Sequence, residues 1–401
     1  MIDSEGRPIK LGNEIGKGGE GSVYEVEGRP LYCAKIYQQN PLPDEQVAKI
    51  ETMTGLWSKS LEAISAWPQS FVYDEVSKKP RGLLMPKISN ALHLHELYGS
   101  TNRRLHFPEA YWHHLVLAAR NVAAAFEAFH AVGIVVGDVN QGNLMVDHTM
   151  CVRMIDCDSF QIPGRDHTFF CPVGTPHFTP PELQSINLRD VYRTKNHDAF
   201  GMAVMIFHLL FVGRHPFAGR YGGAGDMTIE KAIAERRFAF SKHRNETLLE
   251  PPPASLQLAH VSPRLGEMFE QAFRADTETG DVRPTAKDWL TELEAVIKNR
   301  KNCSYDSAHI YYGGLRECPW CRIEDEGGPT FFLASGSATM ISPGRLDLLD
   351  DKIHELRIKT FPELETKRLD LPGMPLLKKL GDMPKYQVVD YMTMLFVAMC
   401  A

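Results

Sequence analysis

Asp138, Asn143 and Asp156 are the residues of this 401-residue sequence best spaced to do chemistry together. They follow the pattern Asp-x4-Asn, with thirteen residues more from Asn143 to Asp156. Two β-prone apolar patches, 143–146 and 151–155, flank a turn at 147–149. A hairpin of that layout brings the three side chains to one edge. Oxygen donors so gathered suit a hard cation such as Mg²⁺, which takes one or two carboxylates and completes its shell with phosphate oxygens. The competing reading is ordinary turn chemistry, for which Asp and Asn are common. Upstream, Gly16-Lys17-Gly18-Gly19-Glu20-Gly21 is a Gly-x-Gly-x-x-Gly element. Its glycines let the backbone approach phosphate and offer unobstructed N–H donors. Lys35 follows Gly21 by fourteen residues, among apolar neighbours. A third set, Cys303-x5-His309-x8-Cys318-Pro319-Trp320-Cys321, supplies three thiols and one imidazole. That set suits tetrahedral Zn²⁺. A redox Cys-x-x-Cys is the rival, but it wants a βαβ unit that the neighbouring sequence does not offer.

The elements that must position these groups can be read in order. A dinucleotide site needs a helix directly after its glycines. Here 22–26 alternates and is β-prone, Gly28 turns the chain, and 31–37 is a second strand. Residues 44–56 form a helix after Pro41 and Pro43, and 72–74 and 82–88 are further strands. Residues 108–132 form a long helix whose Leu115, Ala119, Val122, Phe126 and Phe129 make one buried stripe. Residues 198–212 are apolar on nearly every face, which predicts a fully buried helix.

Taken in this order, the motifs resemble the protein kinase family over about residues 9–299. The resemblance implies an α+β, bilobal fold, with a β-rich N-lobe (1–88) and a helical C-lobe (89–299). A zinc-binding knuckle (300–326) and a linker and tail (327–401) would follow. It implies ATP and Mg²⁺ (or Mn²⁺), with Gly16, Gly18, Gly21 and Val23 over the nucleotide and Lys35 on its phosphates. Met85 would be the gatekeeper, and Pro86 to Ile88 would face adenine. Asp138 would be the catalytic Asp, with Asn143 and Asp156 on metal. A helical Glu should pair with Lys35, with Glu51 as first candidate and Glu45 as second. Gly174-Thr175-Pro176 to Pro180-Pro181-Glu182 resembles the end of the activation segment. Thr175 would then support Asp138, and Glu182 would pair with Arg283. Asp198 would cap the buried helix and bond the catalytic loop.

The sequence also departs from the family. His-Arg-Asp is Val136-Gly137-Asp138, the catalytic-loop Lys is Asn140, Asp-Phe-Gly is Asp156-Cys157-Asp158, and the hinge has Pro86 where an acidic residue is usual. An active Ser/Thr kinase with a protein substrate is the main expectation. A nucleotide-binding pseudokinase scaffold is the alternative, and a small-molecule kinase the third. Gln141 or a distant cation would have to replace the missing Lys. Together with the knuckle, the wording IDCDSFQ and GTPHFTPPEL resembles a bacterial group from tellurite-resistance-type gene clusters. A von Willebrand A-domain protein and a metal-dependent protein phosphatase are associated with that group.

Composition sets the outer bounds. A hydrophobic share of 43% and a charged share of 23% are those of a globular protein. A net charge of −6 gives no electrostatic case for nucleic acid. The N-terminus has no basic apolar signal segment, and eight cysteines in so long a chain suggest no disulfide framework. A cytoplasmic setting follows as an expectation. Residues 327–344 read as a linker and 346–360 as an exposed charged helix. The apolar run 392–401 is too short to span a bilayer, so a membrane role would need a longer form.

Overall fold

The structure, a computed structural model, describes residues 1–276 and 280–334. It begins with a six-stranded antiparallel sheet. The strands are β1 (Ile2–Asp3), β2 (Leu11–Lys17), β3 (Gly21–Val26), β4 (Tyr32–Tyr37), β5 (Ser70–Tyr73) and β6 (Pro80–Pro86), in spatial order β1-β5-β6-β4-β3-β2. Side chains alternate across a strand, so Cys33, Lys35 and Tyr37 share one face of β4. Val23 and Leu83 flank Lys35 in register. That face is covered by α1 (Asp44–Gly55), whose Ile50 packs with Cys33, Tyr37, Leu83 and Met85. The opposite face buries Ile9, Val26, Ala34, Val72 and Leu84. A short α2 (Lys59–Ile64), capped by Ser58, completes the lobe.

The second lobe is mostly helical: α3 (Leu94–Tyr98), α4 (Ser100–His106), α5 (Trp112–Ala131), α6 (Lys195–Leu210), α7 (Ile229–Ala234), α8 (Arg244–Thr247), α9 (Pro263–Arg274), α10 (Ala286–Lys298) and α11 (Pro319–Asp325). A three-stranded sheet of β7 (Ala91–His93), β8 (Leu144–Asp147) and β9 (Val152–Met154) faces the first lobe. This is the α+β, two-lobed arrangement expected. α6 is buried from Asp198 to Leu210, and its Phe207 stacks on Phe211 at 3.9 Å and meets Phe240 and Phe269 at 4.9 and 5.0 Å. The predicted cap is corrected: Thr194, not Asp198, caps α6 through the His197 N–H. Asp198 lies one turn in, and its carboxylate serves the catalytic loop.

Glu182 and Arg283 form the expected pair, bidentate at 2.7 and 2.9 Å. Arg283 also donates to the carbonyls of Ala272 and Asn196. The cysteine-rich segment folds as a hairpin (Arg300–Asn302 with Ile310–Tyr312) followed by α11. It is docked on the helical lobe, with Trp320 against Trp112 of α5 at 6.4 Å. The linker expected from residue 327 does not begin there. Phe331 and Phe332 are buried, the Arg103 guanidinium lies 4.7 Å over the Phe332 ring, and it donates to the Phe331 carbonyl at 2.8 Å. Glycine and proline around them suggested a spacer, but two aromatic rings bring enough apolar area to bind this stretch down. The rest of the linker, the charged segment 346–360 and the apolar run 392–401 lie outside the described residues. Among the described residues no helix is long and apolar enough to cross a membrane.

Removing one partner from a buried ion pair leaves a charge without compensation, at about 3–5 kcal/mol. Arg283→Met is therefore expected to lower the unfolding free energy by about 3–5 kcal/mol, seen as a lower urea or thermal unfolding midpoint. A midpoint equal to wild type would contradict the role given to this pair.

Candidate active site

Lys35 is 7% exposed, and an ammonium so buried needs a partner. It finds one in Asp158, at 2.9 and 2.8 Å to the two carboxylate oxygens, and touches Asp156 at 3.3 Å. The Tyr37 hydroxyl donates to Asp158 at 2.7 Å. Burial pushes the Asp158 carboxyl up, but the Lys35 ammonium, the Tyr37 hydroxyl and Lys49 together hold it below its ordinary value. Burial likewise pulls Lys35 down, and Asp158 and Asp156 raise it above its ordinary value. The expected partners are corrected. Glu51 and Glu45 are both exposed, because α1 turns its 46, 49, 50 and 53 positions inward. That stripe presents Gln46 to Tyr37 and Lys49 to the surroundings of Asp158, Cys171 and Glu20.

The catalytic loop is held from several sides. Asp198 accepts the Val136 and Gly137 N–H groups at 2.7 and 2.8 Å and meets His130 at 2.9 Å. Asp138 accepts from the Thr175 hydroxyl at 3.0 Å and from the Asn140 amide at 3.0 Å. The other end of Asn140 accepts the Gly142 and Asn143 N–H groups, so Asn140 braces the loop. The Asn143 amide nitrogen donates to the Asp138 carbonyl at 3.2 Å, which leaves its oxygen for another partner. The Ile155 N–H bonds the Asn143 carbonyl at 2.9 Å and ties the loop of Asp156 to this hairpin. Asp156 follows in the left-handed region, φ +54, with its side chain 46% exposed. Gln141 does not offer itself as a substitute for the missing Lys, since its side chain is bonded to the Tyr98 hydroxyl.

Gly137 has φ +72, and a Cβ there would lie 2.7 Å from the Cβ and Sγ of Cys171. No arginine fits at this position while Cys171 holds its place. The buried Arg193 instead donates to the Gly137 and Val173 carbonyls at 3.3 and 2.9 Å, joining catalytic loop to activation segment. Sequence reasoning missed Arg193, Lys49 and Asp158 in these roles.

The flap and hinge residues meet at the same edge. Gly21 is required by packing, since a Cβ would fall 2.3 Å from the Ile36 carbonyl. At Gly16 and Gly18 a Cβ would make only ordinary contacts, 3.9 Å from the Val23 Cβ and 3.8 Å from the Gly21 carbonyl oxygen. A cavity of about 350 Å³ opens between the flap residues Gly19 and Glu20, Tyr37 and Gln46 of α1. Val23, Cys33, Met85, Ile88 and Ile155 gather in one apolar cluster. Pro86 continues from Met85 and faces Tyr32 in register.

Residues 9–292 match the protein kinase domain family. The chain belongs to the protein kinase family. It is 38% identical over 353 residues to protein kinase YegI of Escherichia coli K12, covering 87% of this chain and 54% of that protein. It is 23% identical over 301 residues to the LEAF RUST 10 disease-resistance locus receptor-like protein kinase-like 1.1 of Arabidopsis thaliana, covering 73% and 45%. Over 118 residues it is 25% identical to the probable serine/threonine-protein kinase irlD of Dictyostelium discoideum, covering 29% and 8%. The chain thus spans about half the length of the YegI proteins it matches.

Beyond the kinase domain, Cys303, His309, Cys318 and Cys321 converge, their donor atoms all within 4.8 Å of one another. Cys303 and Cys321 sulfurs are 3.6 Å apart, close to the ~3.8 Å edge of a tetrahedral zinc–thiolate site. His309 presents Nδ1 to Cys321 at 3.4 Å, while Nε2 faces Glu324 and Asp306 at 3.7 and 3.9 Å. Carboxylates behind a ligating imidazole fix its orientation, so the donor set fits zinc. Metal analysis of the purified chain is expected to give one Zn²⁺, and Cys321→Ser to lose it together with part of the unfolding midpoint. Wild-type protein purified without chelator and free of zinc would contradict this.

Proposed function

We propose that the chain is an ATP- and Mg²⁺-dependent kinase that phosphorylates Ser/Thr hydroxyls of protein substrates. The observation that carries this reading is the meeting of Lys35, Asp138, Asn143 and Asp156 at one interlobe edge, beside the glycine flap. Phosphoryl transfer asks a protein mainly for positioning and charge stabilisation, and these groups supply both. The nucleotide would lie under Gly16, Gly18 and Gly21, its base against Val23 and Met85 to Ile88. Asn143 and Asp156 are the oxygen donors for Mg²⁺ or Mn²⁺, and Lys35 the cation for phosphate oxygens. The metal, when bound, neutralises charge on the phosphates. Asp138, held by Thr175 and Asn140, orients the acceptor hydroxyl and takes its proton. Zinc in the knuckle is structural. A cytoplasmic setting, and a von Willebrand A-domain protein and metal-dependent phosphatase as partners, belong to the same reading.

A second reading is a nucleotide-binding scaffold. It is favoured by one observation: Asn140 replaces the lysine that helps neutralise the transferring phosphate, and both ends of its side chain brace the loop.

Labelled ATP, Mg²⁺ or Mn²⁺ and a generic protein substrate separate the two readings. Transfer to serine or threonine is expected. Asp138→Ala should reduce it about 10³-fold or more while leaving nucleotide affinity within about twofold. Asp156→Ala should weaken metal-dependent nucleotide binding itself. Transfer at the wild-type rate by Asp138→Ala would sink the mechanism, and no transfer by wild type in either metal would favour the scaffold.

A further inference from the structure

In protein kinases the strand lysine is aligned by a glutamate from the helix beside it, and both must be in place for activity. This chain has a cation at that place. The inward stripe of α1 is Gln46, Lys49, Ile50 and Met53, with both glutamates of the helix on the exposed side. The carboxylate is instead Asp158, two residues beyond Asp156. Its two oxygens are filled by Lys35 at 2.9 and 2.8 Å and by Tyr37 at 2.7 Å, and its side chain is 6% exposed. A carboxylate so enclosed is spent on holding its neighbours and is not a further ligand for a metal in the cleft. On the other side stand the α1 contacts. Gln46 lines the same cavity as Tyr37, and α1 packs against the Cys157–Ser159 turn that carries Asp158, with Lys49 on the inward stripe.

Building on the nucleotide-binding reading above, we propose that Asp158 is the positioning residue for Lys35 and that Lys49 is its counter-charge from α1. The family's lysine–glutamate pair is thereby replaced by a charge-reversed Lys35–Asp158–Lys49 set. The placement has a mechanical consequence. Lys35 and Asp156 are anchored to the same short loop, so the phosphate-holding cation and the metal-holding carboxylate move together. A displacement of α1 changes the Gln46 and Lys49 contacts and leaves the Lys35–Asp158 bond intact.

The test is a charge relocation in the full chain, read first by ATP·Mg²⁺ affinity in calorimetry and second by phosphoryl transfer. Charge-assisted hydrogen bonds are the strong ones, so Asp158→Asn and Asp158→Gly are each expected to weaken ATP·Mg²⁺ binding about tenfold or more. Adding Lys49→Glu to Asp158→Gly returns a carboxylate to the helix and is expected to restore affinity to within about threefold of wild type. A merely structural aspartate would not be rescued from another element. Unchanged affinity in Asp158→Asn, or a double variant binding no better than Asp158→Gly, overturns the proposal. If Asp158→Gly does not fold, the decision rests on Asp158→Asn, and on whether the double variant binds within about threefold of wild type or, overturning the proposal, more weakly than that. Wild type that binds nucleotide but transfers nothing would end the kinase reading alone, because the binding comparison still judges Asp158.

Discussion

A lysine buried between two lobes cannot keep its charge without a carboxylate, and the rest of the cleft is arranged around how that need is met. Desolvating a lone ammonium costs several kcal/mol, and a close, hydrogen-bonded partner offsets it. Asp158 is that partner, and it comes from the loop that also carries Asp156. The sheet fixes Lys35 by register between Val23 and Leu83, and the loop of Asp156 and Asp158 is fixed by the Ile155 bond to Asn143. Two rigid elements therefore meet through one ion pair. The groups that would handle a nucleotide are set by that meeting more than by the position of α1.

The same economy appears below the cleft. The residue before Asp138 is a glycine, with Cys171 filling the space an arginine would occupy. Arg193 binds two backbone carbonyls, while Asp198 fixes two N–H groups of the loop. All these partners are fixed parts of the chain, and none is a group that must be added covalently. Thr175 reaches Asp138 from the activation segment, so order in that segment is coupled directly to the acidic group. The Glu182–Arg283 pair then ties the end of the segment to the base of the lobe.

Much of this was legible in the sequence because each motif demands particular atoms at a fixed spacing. Asp138, Asn143 and Asp156 need only a short hairpin to come together. Thr175 and the Glu182–Arg283 pair followed from the same family pattern. The knuckle was readable from four donor types alone. What was missed concerns which way a side chain turns. The register of α1 rests on Ile50 and Met53, two apolar anchors that point Lys49 inward and Glu51 outward, whereas the family pattern asks for a glutamate there. Thr194 was overlooked as the cap of α6 because its capping-box partner is His197 rather than the usual Glu or Gln. Phe331 and Phe332 were hidden in a stretch whose glycine and proline suggested a spacer. Arg193 had no signal at all, since its bonds go to backbone carbonyls that any sequence would offer.

The most direct measurement is a crystal structure of the full chain with a non-hydrolysable ATP analogue and Mn²⁺, the metal located by anomalous scattering. The account predicts manganese bound by Asn143 and Asp156, phosphate oxygens on Lys35, and Asp158 still within about 3 Å of the Lys35 ammonium. Nucleotide held away from the glycine flap, or Lys35 released from Asp158 to pair with a glutamate of α1, would contradict it.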